Sequence, residues 1–381
     1  MASHPHLAGR FLSNFALLAF GLAACSHAAA EPVPTETAAA TLSPRPISTS
    51  TATMVPIITP IRTPPVLPGV FQSSFLNTVD TPHIYMQDTC TYLRDKWSSA
   101  NSAPGTIAMV IMIHSIVADD VIPTDNQIPG KQFHQLIGNL MNNGFEAITT
   151  AQLAAFMENN ARIPPHSVLL VVDDRHHAQY FDTYFRSYWE QDGWPVVNAW
   201  ISASRDNLDA ALWKEQEALN AQGWVDYQAH GVVHNTPMWP GVSEAYIMGE
   251  LQGSIDAFQL HFNKKPIAII WPGGGFSQSS VEIARQLGYQ LGFTTNARGP
   301  LMFNWVPLGD TVTPVHGDWQ PEGPMKDPLM VLPRYWDTDA ILHISDVVQV
   351  GKDAARYAEQ NKATELEYYD IICKNQYGPI P

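Results

Sequence analysis

SVLLVVDDRH, residues 167–176, is an unbroken apolar run that ends on two adjacent acids and an arginine. Val- and Leu-rich with no charge inside it, the run reads as a strand buried on both faces, the mark of a parallel sheet. Asp173 and Asp174 then stand at the lip of a core, where neighbouring like charges are costly unless a cation binds them.

The same unit recurs on both sides of that stretch. TIAMVIMI (106–113) precedes the helical pattern FHQLIGNLMNNG, and AIT (147–149) precedes a helix opened by a Thr149-x-x-Gln152 capping box. The 167–172 run leads into a helix over 177–191, VVNAWIS (196–202) into one over 206–222, and VDYQA (225–229) into one over 241–262. IAIIW (267–271) is followed by a helix opened at Ser279-x-x-Glu282 and stopped at Gly288; QLGFTT supplies a seventh strand and PLMVLP (328–333) an eighth. This alternation predicts an α/β fold, a parallel sheet with helical cover closed into a (β/α) barrel of seven to eight strands. An open doubly wound sheet is the alternative. In such a barrel the carboxyl ends of the strands share one mouth. His114, Asp173 with Asp174, His230 with His234, and the turn Pro272–Gly275 each follow a predicted strand and should meet there.

Composition narrows the partners. With 36 acidic and 21 basic residues among 381 the net charge is −15, and no Lys/Arg cluster offsets it, so nucleic acid is excluded. Arg10 and the apolar stretch FLSNFALLAFGLAAC read as an export signal over residues 1–25, too short to span a bilayer as a mature helix. Its end, Leu22-Ala23-Ala24-Cys25, resembles the lipobox of bacterial lipoproteins, whose cysteine is lipidated. The expectation is an exported protein anchored to a membrane through Cys25 and facing the periplasm or cell exterior. A plain secretory signal is the other possibility. Residues 26–71, rich in Pro, Thr and Ser, read as a tether, and 72–381 as the folded domain with a C-terminal extension. Cys90 and Cys373 are the remaining cysteines, a disulfide pair or two buried thiols.

HGVVH (230–234) sets two imidazoles on one side of a helical turn or tight loop, where they can grip one divalent ion. Joined by the acid pair, they make a two-His, one-carboxylate site with one acid to spare. That spare carboxylate can take a proton from water whose pKa a zinc-like cation lowers to roughly 7. WPGGGF (271–276) offers unobstructed backbone N–H groups near Gly273 and Gly274 for a developing oxyanion.

VVDDRH, HGVVH and WPGGGF, in this order and at these separations, resemble the first three motifs of the polysaccharide deacetylases, carbohydrate esterase family 4 or the NodB homology domain. MVIMIHSI, LGYQLGFTTNARGP and LPRYW (332–336) resemble segments of the branch that deacetylates biofilm poly-N-acetylglucosamine. The resemblance covers about residues 105 to 345. It implies a distorted or incomplete, NodB-like barrel and a metal-dependent hydrolase that removes N-acetyl groups from an extracellular amino-sugar polymer, an exopolysaccharide or peptidoglycan. Carried over, it makes Asp173 the base, Asp174, His230 and His234 the ligands of one divalent cation, zinc or another first-row metal, and Gly273 an oxyanion holder. The family's general acid lies in a Leu-x-His motif, matched best by His343, with His316 as competitor. Arg175, Trp271 and His114 are the candidates for substrate contact. The sequence departs from the family at Arg175, usually Gly, at Gly231, usually a hydroxyl residue, and at Gly273, usually aromatic. A cation at Arg175 could pair with Asp173 and blunt it as a base. Two further readings stay open: a degenerate barrel that only binds glycan, and a glycoside hydrolase with two carboxylates at its mouth.

Overall fold

The computed structural model describes residues 62–381, apart from 204–206 and 315. The export signal, Cys25 and most of the tether lie outside the described residues. Among those described, no helix is long and apolar enough to cross a membrane.

Seven parallel strands form one curled sheet: β1 (Ile107–Ile113), β2 (His166–Asp173), β3 (Val196–Trp200), β4 (Val225–Ala229), β5 (Ala268–Ile270), β6 (Leu291–Phe293) and β7 (Tyr335–Trp336). Their spatial order is β6-β5-β4-β3-β2-β1-β7, with Glu146–Ala147 paired to β2 as a short extra strand. The curl brings the sheet's ends together. Leu332 exchanges backbone hydrogen bonds with Gly292 and Thr294 beside β6, while Tyr335 and Trp336 pair with Ile111 and Met112 of β1. One short segment, 332–336, thus spans the gap and closes a distorted barrel.

Side chains alternate across the strands. Ala108, Val110, Leu169, Val171, Val197 and Ala199 fill the interior. Ile107, Met109, Ile111, Val168, Leu170 and Val172 face the helical layer. Being buried on both sides is why these strands read as unbroken apolar runs. By the same period of two, Asp173 continues the inward row of Leu169 and Val171, and His114 that of Ala108 and Val110.

Several local expectations shift. PLMVLP is not a continuous strand: Pro328–Met330 is a 3-10 turn, Leu332 makes a single parallel bridge to Phe293, and strand pairing proper begins at Tyr335. Pro328 and Pro333 have no N–H to give a ladder. Thr149 and Gln152 form the predicted capping box, but the later helix (Gln278–Gln286) is capped by Ser277 with Ser280, two residues before the expected start. The 177–191 helix breaks at Phe185 into Ala178–Tyr184 and Arg186–Asp192. The packed region begins earlier than composition suggests. Trp305 donates to the Phe71 carbonyl, Tyr357 to that of Gly69, and Leu67 joins an apolar cluster with Leu93, Tyr369 and Cys373. A few apolar anchors among prolines suffice to dock it. Cys90 and Cys373 form a disulfide across 283 residues.

Candidate metal centre

β2 ends by sending its two acids in different directions. Asp174 has φ +71°, a left-handed conformation that Asp tolerates better than most residues. Asp173 therefore stays in the barrel, 1% exposed, while the half-exposed Asp174 turns outward over its rim. The second histidine motif is likewise a tight loop rather than a helical turn, with Gly231 at φ +79° and His234 at φ +57°. These turns bring Asp174, His230 and His234 together, one donor atom from each lying within 4.8 Å of the others. Donors about 2 Å from a shared ion stand roughly 3–3.5 Å apart, a small adjustment from this arrangement.

The protonation chemistry suits a cation. His230 is buried, and its Nδ1 lies 2.8 Å from the Ile270 carbonyl, which can only accept; Nδ1 thus carries the proton and the Nε2 lone pair faces Asp174, 3.8 Å away. Burial pushes the His230 pKa down to about 4, against the pull of Asp173, so the ring is a neutral donor at neutral pH. The donor set, one carboxylate and two imidazoles, is one that zinc and other first-row metals accept.

The spare acid, Asp173, is not left to the cation alone. Arg334, itself 0% exposed, grips it with two hydrogen bonds of 2.7 and 3.0 Å and anchors its own Nε on the Thr294 carbonyl at 2.7 Å. Burial would raise the Asp173 pKa, but Arg334, His230 and His114 outweigh it and hold the carboxyl at about 2. Arg175, the residue expected to compete for Asp173, instead sends its Nε to the Ile201 carbonyl at 2.8 Å and a second nitrogen to that of Ala203, with its guanidinium over Trp200. Those contacts brace the loop after β3.

Other predicted residues fall in and out of the site. His114 is in it: Nε2 lies 3.9 Å from Asp173, and the ring stacks on Trp336 at 5.2 Å and 10°. His343 sits on the long helix Asp337–Tyr368, its ring 5.1 Å from Tyr335. Tyr335 belongs to the layer between sheet and helices, so His343 lies against the face of β7 opposite to Arg334 and Asp173. His316 stacks on Trp319 at 3.9 Å. Trp271 does not offer a surface to substrate: it is 0% exposed, with its indole N–H given to the Met330 carbonyl. In the glycine turn, the amides of Gly274 and Gly275 donate to the carbonyls of Trp271 and Pro272. Gly274 therefore cannot serve an oxyanion. Gly273 is exposed and held at φ +56°, which leaves it the accessible glycine of the turn beside the buried Gly274 and Gly275.

Sequence reasoning missed Arg334 and Asp337. Arg334 lies within the quoted LPRYW but had no assigned role. Asp337 opens the helix that follows β7; burial raises its pKa to about 7, and its Oδ2 has no hydrogen-bond partner among the described residues.

The family description that matches residues 161–292 is polysaccharide deacetylase. YxkH of Bacillus subtilis (strain 168), a polysaccharide deacetylase by name, is 23% identical over 193 residues, which are 49% of this chain and 63% of that relative. The chain thus spans less than two thirds of that relative's length. Among solved structures, the Streptococcus pyogenes deacetylase PplD in complex with acetate aligns with a TM-score of 0.50 at 19% identity, covering 65% of this chain and 99% of PplD. IcaB from Ammonifex degensii aligns at 0.47 and 16% identity, over 66% of this chain and 100% of IcaB. Taken with the curled parallel sheet and the three motifs at its mouth, the match makes residues 161–292 a polysaccharide deacetylase domain.

Proposed function

We propose that the protein is a metal-dependent N-deacetylase acting on an extracellular polymer of N-acetylated amino sugars. One observation carries this: Asp174, His230 and His234 converge at the rim while Asp173 and His114 stand beside them. A divalent cation held by the three ligands would polarise the acetyl carbonyl and lower the pKa of a water to roughly 7. Asp173, ionised across the physiological range, accepts the proton as the water oxygen adds to the amide carbon. The backbone amide of the exposed Gly273 donates to the carbonyl oxygen as negative charge develops there. His114, on the same side as Asp173 and oriented by Trp336, gives a proton to the departing amine nitrogen, so that the C–N bond breaks into acetate and a free amine. This role moves from His343, which the fold keeps on the other face of β7.

The predicted export signal and Cys25 anchor support a substrate at the cell surface, and the acidic chain suits a product that gains positive charge. A second reading, a metal-containing glycan binder without turnover, draws support from the Arg334–Asp173 pair, since a carboxylate held near pKa 2 is a weak base. One experiment decides between them. Purified protein lacking residues 1–61 is assayed for bound metal and for acetate released from N-acetylglucosamine oligomers. The deacetylase reading expects one divalent ion per chain, lost in His234→Ala, and acetate release reduced by about 10² or more in Asp173→Asn. Metal without acetate release favours the binder; no metal uptake refutes both.

A further inference from the structure

The helix Glu244–Phe262 carries a buried carboxylate that the deacetylase motifs do not include. Glu250 is 3% exposed and meets no cation among the described residues; it accepts instead from three successive backbone amides of the histidine loop. The N–H groups of Val232, Val233 and His234 point at its oxygens at 2.8, 3.1 and 3.3 Å. Successive amides turned to one side make an anion-binding nest, and here the anion is a side chain of the same protein. Neighbours on the same helical face complete the mould. Tyr246, four residues earlier, donates to Asn235 Oδ1 at 2.9 Å, and Gly253, three residues later, lies where an added Cβ would come 2.7 Å from Val232. The loop is therefore seated on helix positions 246, 250 and 253.

Gly231 belongs to the same arrangement. Its φ of +79° suits glycine, and a Cβ there would lie 2.6 Å from Glu250 Oε2 and 3.1 Å from Pro272. The hydroxyl residue usual at this position in the family would occupy the space the carboxylate fills. We infer that Glu250 is the positioning residue of this metal centre, its carboxylate standing in for the missing hydroxyl and fixing the loop that aims His230 and His234, with Gly231 its obligate complement.

The proposal rests on the metal-hydrolase reading for its consequence but not for its geometry, and its test separates the two. Amide hydrogen exchange is measured on metal-free protein lacking residues 1–61, and Zn²⁺ affinity by chelator competition, for the wild type, Glu250→Gln and Glu250→Asp. Exchange at residues 232–234 should quicken at least tenfold in Glu250→Gln while strand amides of β2 stay protected. Affinity should fall about 10- to 100-fold, the usual cost of losing a group that orients metal ligands. Should Glu250→Gln not fold, Glu250→Asp, which withdraws the carboxylate by one methylene, should show the same effects in weaker form. Gly231→Ser should weaken binding alone and recover most of it when combined with Glu250→Ala. Unchanged loop exchange in a folded variant overturns the inference, as does Gly231→Ser that binds Zn²⁺ like the wild type. A wild type that takes up no ion refutes the metal reading, and the exchange result still decides the role of Glu250.

Discussion

Arg334→Met tests the arrangement at its most buried point. The substitution keeps much of the side chain's bulk and removes the only cation bonded to Asp173 among the described contacts. Leaving one partner of a buried ion pair uncompensated costs about 3–5 kcal/mol. At about 2 °C per kcal/mol for a domain this large, Tm should fall about 6 to 10 °C at neutral pH. The pH dependence fixes the cause. In the wild type the Asp173 carboxyl is lowered to about 2 from an ordinary 3.8, so it contributes about 2 kcal/mol above pH 4, lost as pH falls from about 4 to about 2. In Arg334→Met burial is no longer outweighed and the folded-state pKa rises above the unfolded value, so stability drops as pH climbs. The Tm gap between the two proteins should widen from pH 3 to pH 7. Circular dichroism melts at several pH values measure it, and the acidic limb of acetate release should shift to higher pH in parallel. A gap of under 2 °C that does not change with pH would show that the pair carries no such load.

Two other outcomes follow from the geometry. His114→Ala should lower acetate release by about 10² or more while His343→Ala leaves it within about threefold, a comparison made by steady-state rates on one oligomer; the reverse order would return the acid to the long helix. Replacing Cys90 and Cys373 with Ser opens a loop of 283 residues and should lower stability by up to about 5 kcal/mol, read from denaturant midpoints without loss of bound metal.

The barrel was legible because its strands are buried on both faces, which turns 107–113 and 167–172 into unbroken apolar runs, and because polar residues after each run mark one shared mouth. Asp174, His230 and His234 could be found for the same reason, since each follows a strand by a residue or a short loop. What escaped depends on contacts remote in sequence. Arg334 lies 161 residues from Asp173, and nothing local to LPRYW says that its side chain turns inward. Glu250 reads as a charge on a helix surface, because its partners are backbone amides that carry no sequence signature. The side to which His343 points depends on the phase of a helix whose first residue is Asp337, and that phase is set by the pairing of β7 with β1. Trp271 precedes the glycine turn, where an indole suggests a stacking platform, yet it lies under the turn because Gly292 leaves room beside its nitrogen.

Residues 332–336 join the two sheet ends and also deliver Arg334. The stretch 161–292 holds the acid pair, both histidines and the glycine turn, but a fragment cut to those borders would keep neither β1 nor that seam. Its outer strands would lie open to pairing with other chains, and a charge designed for neutralisation would sit in oil. During synthesis the same holds: Asp173 gains its buried counter-charge only after another 161 residues have been added and Arg334 has emerged.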